Sequence, residues 1–363
     1  MLIVGGEGAA RAAIARRAGV ALSDEVVGGE PDERRLPVGE IVTAAEIRAG
    51  LVTPVVQYAL IDSALRAAEG RTIDEHVAEI DSLWGSMRAV AGAAPPGAGR
   101  IVAFPYRTEH CSRINVDQAA AIVVCAAEHA RRLGVPVDRL VHPLVALESR
   151  HAAAVVRRRD LHRWPAMECL GQAAAAHLGT PVSDIDQVEV YSCFPSAVRV
   201  QQRALGLPLD RAPTLTGGMA VAGGPWNSFV LQATVEMVRA LRARPGELGM
   251  VTTVSGFLTK PGLAVFSTDR RRDLLVDDLG ADAARATRLA EVVEQYDGHA
   301  TVAACTVVPE RSGAARTVIV AETAGGARCV GTSLDAGVAE VAMTRELVGS
   351  AVLMEGGSLR LVH

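Results

Sequence analysis

An apolar strand that runs straight into a polar, reactive tip and then into a helix limits the fold of this chain more than any other feature. It occurs at Val188 to Val190, followed at once by Tyr191-Ser192-Cys193-Phe194-Pro195-Ser196-Ala197-Val198. In α/β proteins the carboxyl end of a strand, where a helix starts, is where chemistry is placed. Two glycine-rich turns come next, Thr214 to Gly218 and Ala222 to Pro225. The second is expected to open an apolar helix reaching about Arg242, with Pro225 in its first turn. A further strand, Met250 to Val254, leads into Ser255-Gly256-Phe257-Leu258-Thr259-Lys260. The loops between Asp186 and Ser267 are thus expected to converge on one pocket.

The flanking sequence extends this pattern. Ile101 to Tyr106, a buried-strand run Ala119 to Ala126, a strand Leu140 to Leu147 and a helix Pro165 to His177 alternate as in a mainly parallel sheet covered on both faces. The chain opens on Leu2-Ile3-Val4, read as a short buried strand, and an Ala/Arg helix to about Ala18. Val20 to Gly99 reads as a loop-rich insert with two helices, Pro54 to Gly70 and Thr72 to Ala91, the second opened by the capping box Thr72-x-x-Glu75. Beyond Asp269, a charged segment Arg270 to Asp278 runs into an Ala-rich helix. Short strands follow at His299 to Val308, Arg316 to Glu322, Ala327 to Gly331 and Ser350 to Met354, which predict a small all-β barrel or sandwich.

Composition excludes several classes. With 363 residues, 49% hydrophobic and 3% aromatic, the chain can bury a large core of Ala, Val and Leu in two or more units. A net charge of -4 without a basic run argues against a nucleic-acid surface, and the apolar start is too short for a signal peptide or a membrane span. The cysteines at 111, 125, 169, 193, 305 and 329 form no C-x-x-C pair, which suits a reduced cytoplasm rather than a disulfide framework. His110-Cys111 and Glu128-His129 lack matching partners, so no metal site is expected.

Taken together, Tyr191 to Val198, Thr216-Gly217-Gly218, Ala222-Gly223-Gly224-Pro225 and Gly256-Phe257-Leu258-Thr259-Lys260 resemble the C-terminal half of the thiolase superfamily. The likeness is greatest to the sterol-carrier-protein thiolase-like proteins, often labelled acetyl-CoA acetyltransferases, which carry an additional C-terminal β domain. Asn115-x-Asp117-Gln118-Ala119-Ala120 and Asp160-Leu161-His162-Arg163 fit the same pattern. The resemblance implies an α/β, incomplete thiolase fold: residues 1–130 as a partial N-terminal half with the insert 20–99, 131–270 as the C-terminal half, and 285–363 as an OB-like β domain. It implies a coenzyme A thioester as substrate, no further cofactor, a place in lipid metabolism, and an oligomer.

A thiolase joins two acyl-CoA units, or splits a 3-ketoacyl-CoA, through an acyl-cysteine whose nucleophile comes from the first half of the fold. No cysteine here matches that nucleophile. Where the family has His-Asp-Cys-Phe, this chain has Tyr191-Ser192-Cys193-Phe194, and where it has Gly-His-Pro, this chain has Gly223-Gly224-Pro225. The second change removes the imidazole that serves the oxyanion hole. Thr214 replaces an asparagine, and Ser255, Lys260 and Pro261 stand where an acid/base cysteine or histidine is expected.

Each remaining residue carries a functional and a structural reading. Cys193 is an activated thiol or a small buried hydrophobe; Tyr191 donates to a thioester oxygen or anchors its loop. Gly217, Gly218, Gly223 and Gly224 let a pantetheine arm approach the backbone or let helices pack closely. Lys260, the chain's only lysine, binds the ligand or is solvated. The apolar helix after Pro225 lacks its companion from the first half, so its exposed face calls for a homodimer contact or a second polypeptide; alternatively, coding continues upstream of Met1. Three functions are compatible with this: an acyl-CoA-binding, acyltransferase-like protein with its chemistry weak or lost, a non-catalytic subunit that docks a partner, or a biosynthetic variant using Cys193 or Tyr191 for another condensation or hydrolysis.

Overall fold

The computed structural model describes residues 1–22, 29–30 and 34–362. Part of the expected insert, residues 23–28 and 31–33, and residue 363 of the β domain lie outside the described residues. The centre is a mixed five-stranded sheet built from β3 (His142–Glu148), β4 (Gln187–Glu189), β5 (Leu248–Ser255), β6 (Lys260–Ser267) and β7 (Leu275–Asp278), in the order β7-β3-β6-β5-β4. The outer pairs are parallel and the inner pairs antiparallel, which corrects the expected mainly parallel sheet. The reason is local. Only Gly256 to Thr259 join β5 to β6, and a connection that short makes a hairpin, because a parallel return needs a crossover of a dozen or more residues. The charged segment Arg270 to Asp278, for which no strand was expected, supplies the edge strand β7.

Helices cover the sheet. One is α4 (Pro165–Leu178), ended by Gly179 in the left-handed conformation; others are α5 (Pro195–Leu205) and α6 (Phe229–Ala243). α6 starts four residues later than expected, because Pro225 lies in a separate turn closed by Ser228 N–H donating to the Pro225 carbonyl. Its buried residues Phe229, Ala233, Met237 and Leu241 repeat every fourth position, so one stripe faces the sheet. A Cβ on Gly249 of β5 would meet Met237 Sδ at 2.2 Å, which is why that strand carries glycine under the helix.

The other side of α6 meets an antiparallel ribbon of β1 (Leu2–Gly8), which runs on into α1 (Ala9–Arg17), and β2 (Asp117–Val123). Gly5 lies under Leu231, at 3.1 Å for a Cβ built on it. The ribbon covers the part of α6 that was expected to meet water, so the exposed apolar surface moves one layer out. Leu2 and Val4 are 63% and 66% exposed and Val123 is 73% exposed. Both strands were expected to be buried; instead β2 exposes alternate residues and β1 exposes Leu2, Ile3 and Val4 in succession, and nothing among the described residues covers the outer face of Leu2, Val4, Ala121 and Val123.

The insert supplies the most deeply buried element. In α2 (Pro54–Ala68), residues Val56 to Arg66 are all buried, between α5 and the barrel. α3 (Ile73–Val90) follows, opened by the expected reciprocal Thr72–Glu75 capping box. The C-terminal region is a closed barrel of β8 (Gly298–Pro309), β9 (Ala315–Thr323), β10 (Arg328–Ser333), β11 (Ala351–Glu355) and β12 (Ser358–Leu361), ordered β8-β9-β10-β12-β11. Ser63 Oγ of α2 accepts a hydrogen bond from Cys305 N–H of β8 at 2.9 Å, and buried Arg66 makes a bidentate ion pair with Glu346 at 2.8 and 3.0 Å. Ala304, Val318 and Val320 of the barrel belong to the same apolar core as the sheet, so barrel and α/β body share one interior.

Candidate functional site

The tip after β4 turns inward. Cys193 and Phe194 are 8% exposed, and Ser192 is fully buried. Phe194 stacks between Tyr58 of α2 and Tyr106, at centroid distances of 4.7 and 5.9 Å, while Phe257 meets Tyr58 edge-on at 6.4 Å. Tyr191 packs edge-on against Phe229 at 5.8 Å. Half of the chain's scarce aromatic residues therefore gather here. Such contacts favour a rigid, dry centre.

Hydrogen bonds fix the loops around it. Ser192 Oγ accepts from Met219 N–H at 2.9 Å, tying the tip to the Gly217-Gly218 turn. Segment Ser112-Arg113 stitches three loops together: Ser112 N–H donates to the Cys193 carbonyl, Arg113 N–H to that of Met219, and Gly224 N–H to that of Arg113. Tyr58 donates its hydroxyl to the Gly256 carbonyl at 3.3 Å, drawing in the β5–β6 loop. The Tyr191 N–H donates to Thr252 Oγ1, and its carbonyl accepts from Gln201 Nε2.

The four glycines are crowded by protein. A Cβ would meet Ala91 Cβ at 2.6 Å on Gly217, Met87 Cε at 2.7 Å on Gly218, Val116 Cγ2 at 2.5 Å on Gly223 and Met219 Cε at 2.2 Å on Gly224. Close packing at all four, together with the positive φ of Gly217, Gly218 and Gly223, favours glycine here on structural grounds.

Burial sets the protonation of the site. It pushes the Cys193 thiol up to about 12, against a hydrogen bond with Tyr58 that works the other way. The Tyr191 and Tyr58 hydroxyls are also raised by burial, so both stay protonated donors. Beneath the Thr214 to Gly218 turn, Glu189 is fully buried and pushed up to about 7 by burial, although Thr214, Leu215 and Thr216 all donate to it.

Lys260 stands apart from this cluster. It lines an open cleft of about 390 Å³ on the sheet face that carries Ala146, Glu148, Thr253, Gly262 and Ala264. α6 covers one end of that face at Gly249, and the small residues at the other end form the cleft floor. Arg35 and Arg150 stand at the rim, paired with Glu148 and Asp278. No helix among the described residues is long and apolar enough to cross a membrane, and no group of three or more His, Cys, Asp or Glu among them could hold a metal ion.

The structure thus brings Cys193, Tyr191 and the two glycine turns together and leaves Lys260 elsewhere. Tyr58, on the insert, and Tyr106, at the end of the run Ile101 to Tyr106, complete the centre and were not singled out as site residues by sequence. The one signal for them was the rarity of aromatic residues in the chain.

No protein-family model and no curated protein matches the chain. Solved structures do. A monomeric SCP2-thiolase like protein type 1 (STLP1) from Mycobacterium smegmatis superposes with a TM-score of 0.80 at 24% identity, over 88% of this chain and 76% of that one. The Ltp2-ChsH2(DUF35) aldolase matches with a TM-score of 0.51 at 20% identity, over 74% of this chain and 79% of that one. At these identities the likeness is one of architecture. The chain has the SCP2-thiolase-like fold, with a small C-terminal β-barrel.

Proposed function

We propose that this chain is a thiolase-superfamily acyl-CoA-binding protein that has lost acetyl-CoA C-acetyltransferase chemistry. The loss rests on the absence of any cysteine that matches the family's nucleophile, and the one thiol where the loops meet, Cys193, is buried and held up near 12 by that burial. Thiolate is the nucleophilic form, and a thiol with that pKa supplies almost none at neutral pH. Cys193 is 8% exposed and its neighbour Phe194 is stacked between Tyr58 and Tyr106, so the loops would have to part before a thioester carbonyl reached the thiol. The acyl-CoA part rests on analogy of fold and on the open cleft, which has the size of a ligand site. Lys260 at its edge has no ion-pair partner among the described residues and offers a point charge to a phosphate. Calorimetric titration of acetyl-CoA and free CoA into the wild type and Lys260→Gln tests this. Saturable binding, weakened about tenfold by the loss of one charge-assisted contact, is expected; heats without saturation contradict the reading.

A second reading, a subunit that docks another polypeptide, is favoured by the outer face of the β1–β2 ribbon. Leu2, Val4 and Val123 lie exposed there, and covering each would gain about 1.5–3 kcal/mol. One of the similar structures is itself an assembly, the Ltp2-ChsH2(DUF35) aldolase. Light scattering coupled to native mass spectrometry separates the cases. A stable, monodisperse monomer contradicts the docking reading and leaves the binding one standing.

A further inference from the structure

A second, much smaller crevice lies between the β5–β6 loop, the start of α4 and the segment that leads into the barrel, with a cavity volume of about 20 Å³, room for one water-sized group or a single oxygen atom of a ligand. Arg158 lines it and is 4% exposed. Its Nε and Nη2 donate to the Ala153 and Phe257 carbonyls at 2.5–3.0 Å, but Nη1 has no hydrogen-bond partner. Half-buried His151 lines the same crevice, and its Nε2 is also without a partner. Buried donors are nearly always satisfied, so two orphans in one crevice call for an acceptor. The third contributor is α4, whose first residues Pro165 and Ala166 form part of the wall; a fourteen-residue helix presents its positive end there.

The other charges in the wall leave this demand open. Asp160 is held bidentate by Arg288 at 2.8 and 2.5 Å, and Arg163 by Glu168 at 3.2 and 2.7 Å, so both pairs are internally neutral. Glu46, the acid that interacts with Arg158 through space, has its oxygens engaged by Thr43, Gln57 and the Val156 N–H. The Arg158 guanidinium therefore feels the Glu46 charge through space but makes no direct ion pair, and its Nη1 stays without a hydrogen-bond acceptor.

We propose that this crevice is an anion site, taking one carboxylate or phosphate oxygen between Arg158 Nη1, His151 Nε2 and the N-terminus of α4. It is independent of the acyl-CoA reading, which rests on the Lys260 cleft. The bound ligand presents an anionic oxygen through the open mouth, and the neutral imidazole of His151 donates from Nε2. Burial and the Arg158 charge lower the His151 pKa in the empty crevice, and an anion beside the ring works against both.

The test is histidine NMR on the full-length chain, titrated with acetate, inorganic phosphate or the neutral isostere acetamide at constant ionic strength. The His151 pKa is expected to rise by about one unit with a saturating dependence on the anion, while acetamide leaves it unchanged. Response to acetate alone identifies a carboxylate ligand, to phosphate alone a phosphoryl ligand, and to both the shared oxyanion chemistry. Arg158→Lys, which keeps the charge and loses the fork, is expected to weaken the response at least tenfold. If no anion shifts His151 in the wild type, or if acetamide does so equally, the crevice holds water only and the proposal is overturned.

Discussion

Glu189 gives the most direct handle on how the site is held together. Its carboxyl is fully buried at the end of β4 and receives Thr214 Oγ1 at 2.9 Å, Leu215 N–H at 2.6 Å, Thr216 N–H at 2.9 Å and Thr216 Oγ1 at 3.1 Å. Burial outweighs these donors and raises the pKa from 4.5 to about 7. Between those pH values the native protein holds a proton that the unfolded chain has released. The stability from this group is therefore fully present below pH 4.5 and is lost as pH rises through 7. A shift of that size corresponds to about 3 kcal/mol. The Glu189→Gln variant cannot titrate there, so subtracting its urea-unfolding free energy from that of the wild type cancels all other groups. The difference should fall by about 3 kcal/mol from acid to neutral pH. A difference that stays flat, or grows with pH, would show that the four donors keep the carboxylate ionised, and the argument from burial would fail.

Other expectations concern the same architecture. In native protein at neutral pH, iodoacetamide should modify exposed Cys125 and spare Cys193, which should react only after unfolding; peptide mass mapping reads both sites. Replacing Glu346 by Ala strands the Arg66 charge, whose side chain is 2% exposed, and should cost about 2 kcal/mol. That figure sits below the range for fully buried pairs because Glu346 keeps some water contact, and an unchanged urea midpoint would count against the docking role of this pair. Gly218→Ala should cost about 1–3 kcal/mol, since Gly218 has φ +77° and a Cβ there would sit 2.9 Å from Ser192 Oγ; thermal unfolding decides. Val4→Glu with Val123→Lys should suppress self-association in light scattering without lowering the melting temperature, because both side chains point away from α6.

Much of the α/β body was legible because its signals are local. The Thr72 capping box, the glycine after α4 and the spacing of apolar residues in α6 all act within a few residues. The depth of α2 was not. Gln57, Asp62, Ser63 and Arg66 resemble a solvated face, yet all are buried. Their partners, Leu51 O, His76, Cys305 N–H and Glu346, include two from the barrel region far along the chain, which no helical periodicity reveals. Leu2 to Val4 misled in the opposite sense, since whether an apolar strand is covered depends on which segment pairs with it and what lies outside. Sheet direction could have been read from the shortness of the Gly256 to Thr259 connection. In the site, Cys193 and Tyr191 stood out at a strand end, whereas Tyr58 enters from an insert, and Tyr106 from the segment after it, whose docking no local rule encodes. Lys260 follows Gly256-Phe257-Leu258-Thr259 directly, but it starts β6 and so points along the sheet into a different opening.

The central claim, that this thiolase-like fold binds without acylating its own cysteine, is tested most directly by intact-protein and peptide mass spectrometry after incubation with acetyl-CoA. The account predicts an unmodified Cys193 at neutral pH, with acetyl-CoA recovered intact from the complex. An acetyl group on Cys193 that turns over when a second acyl-CoA is added would contradict it.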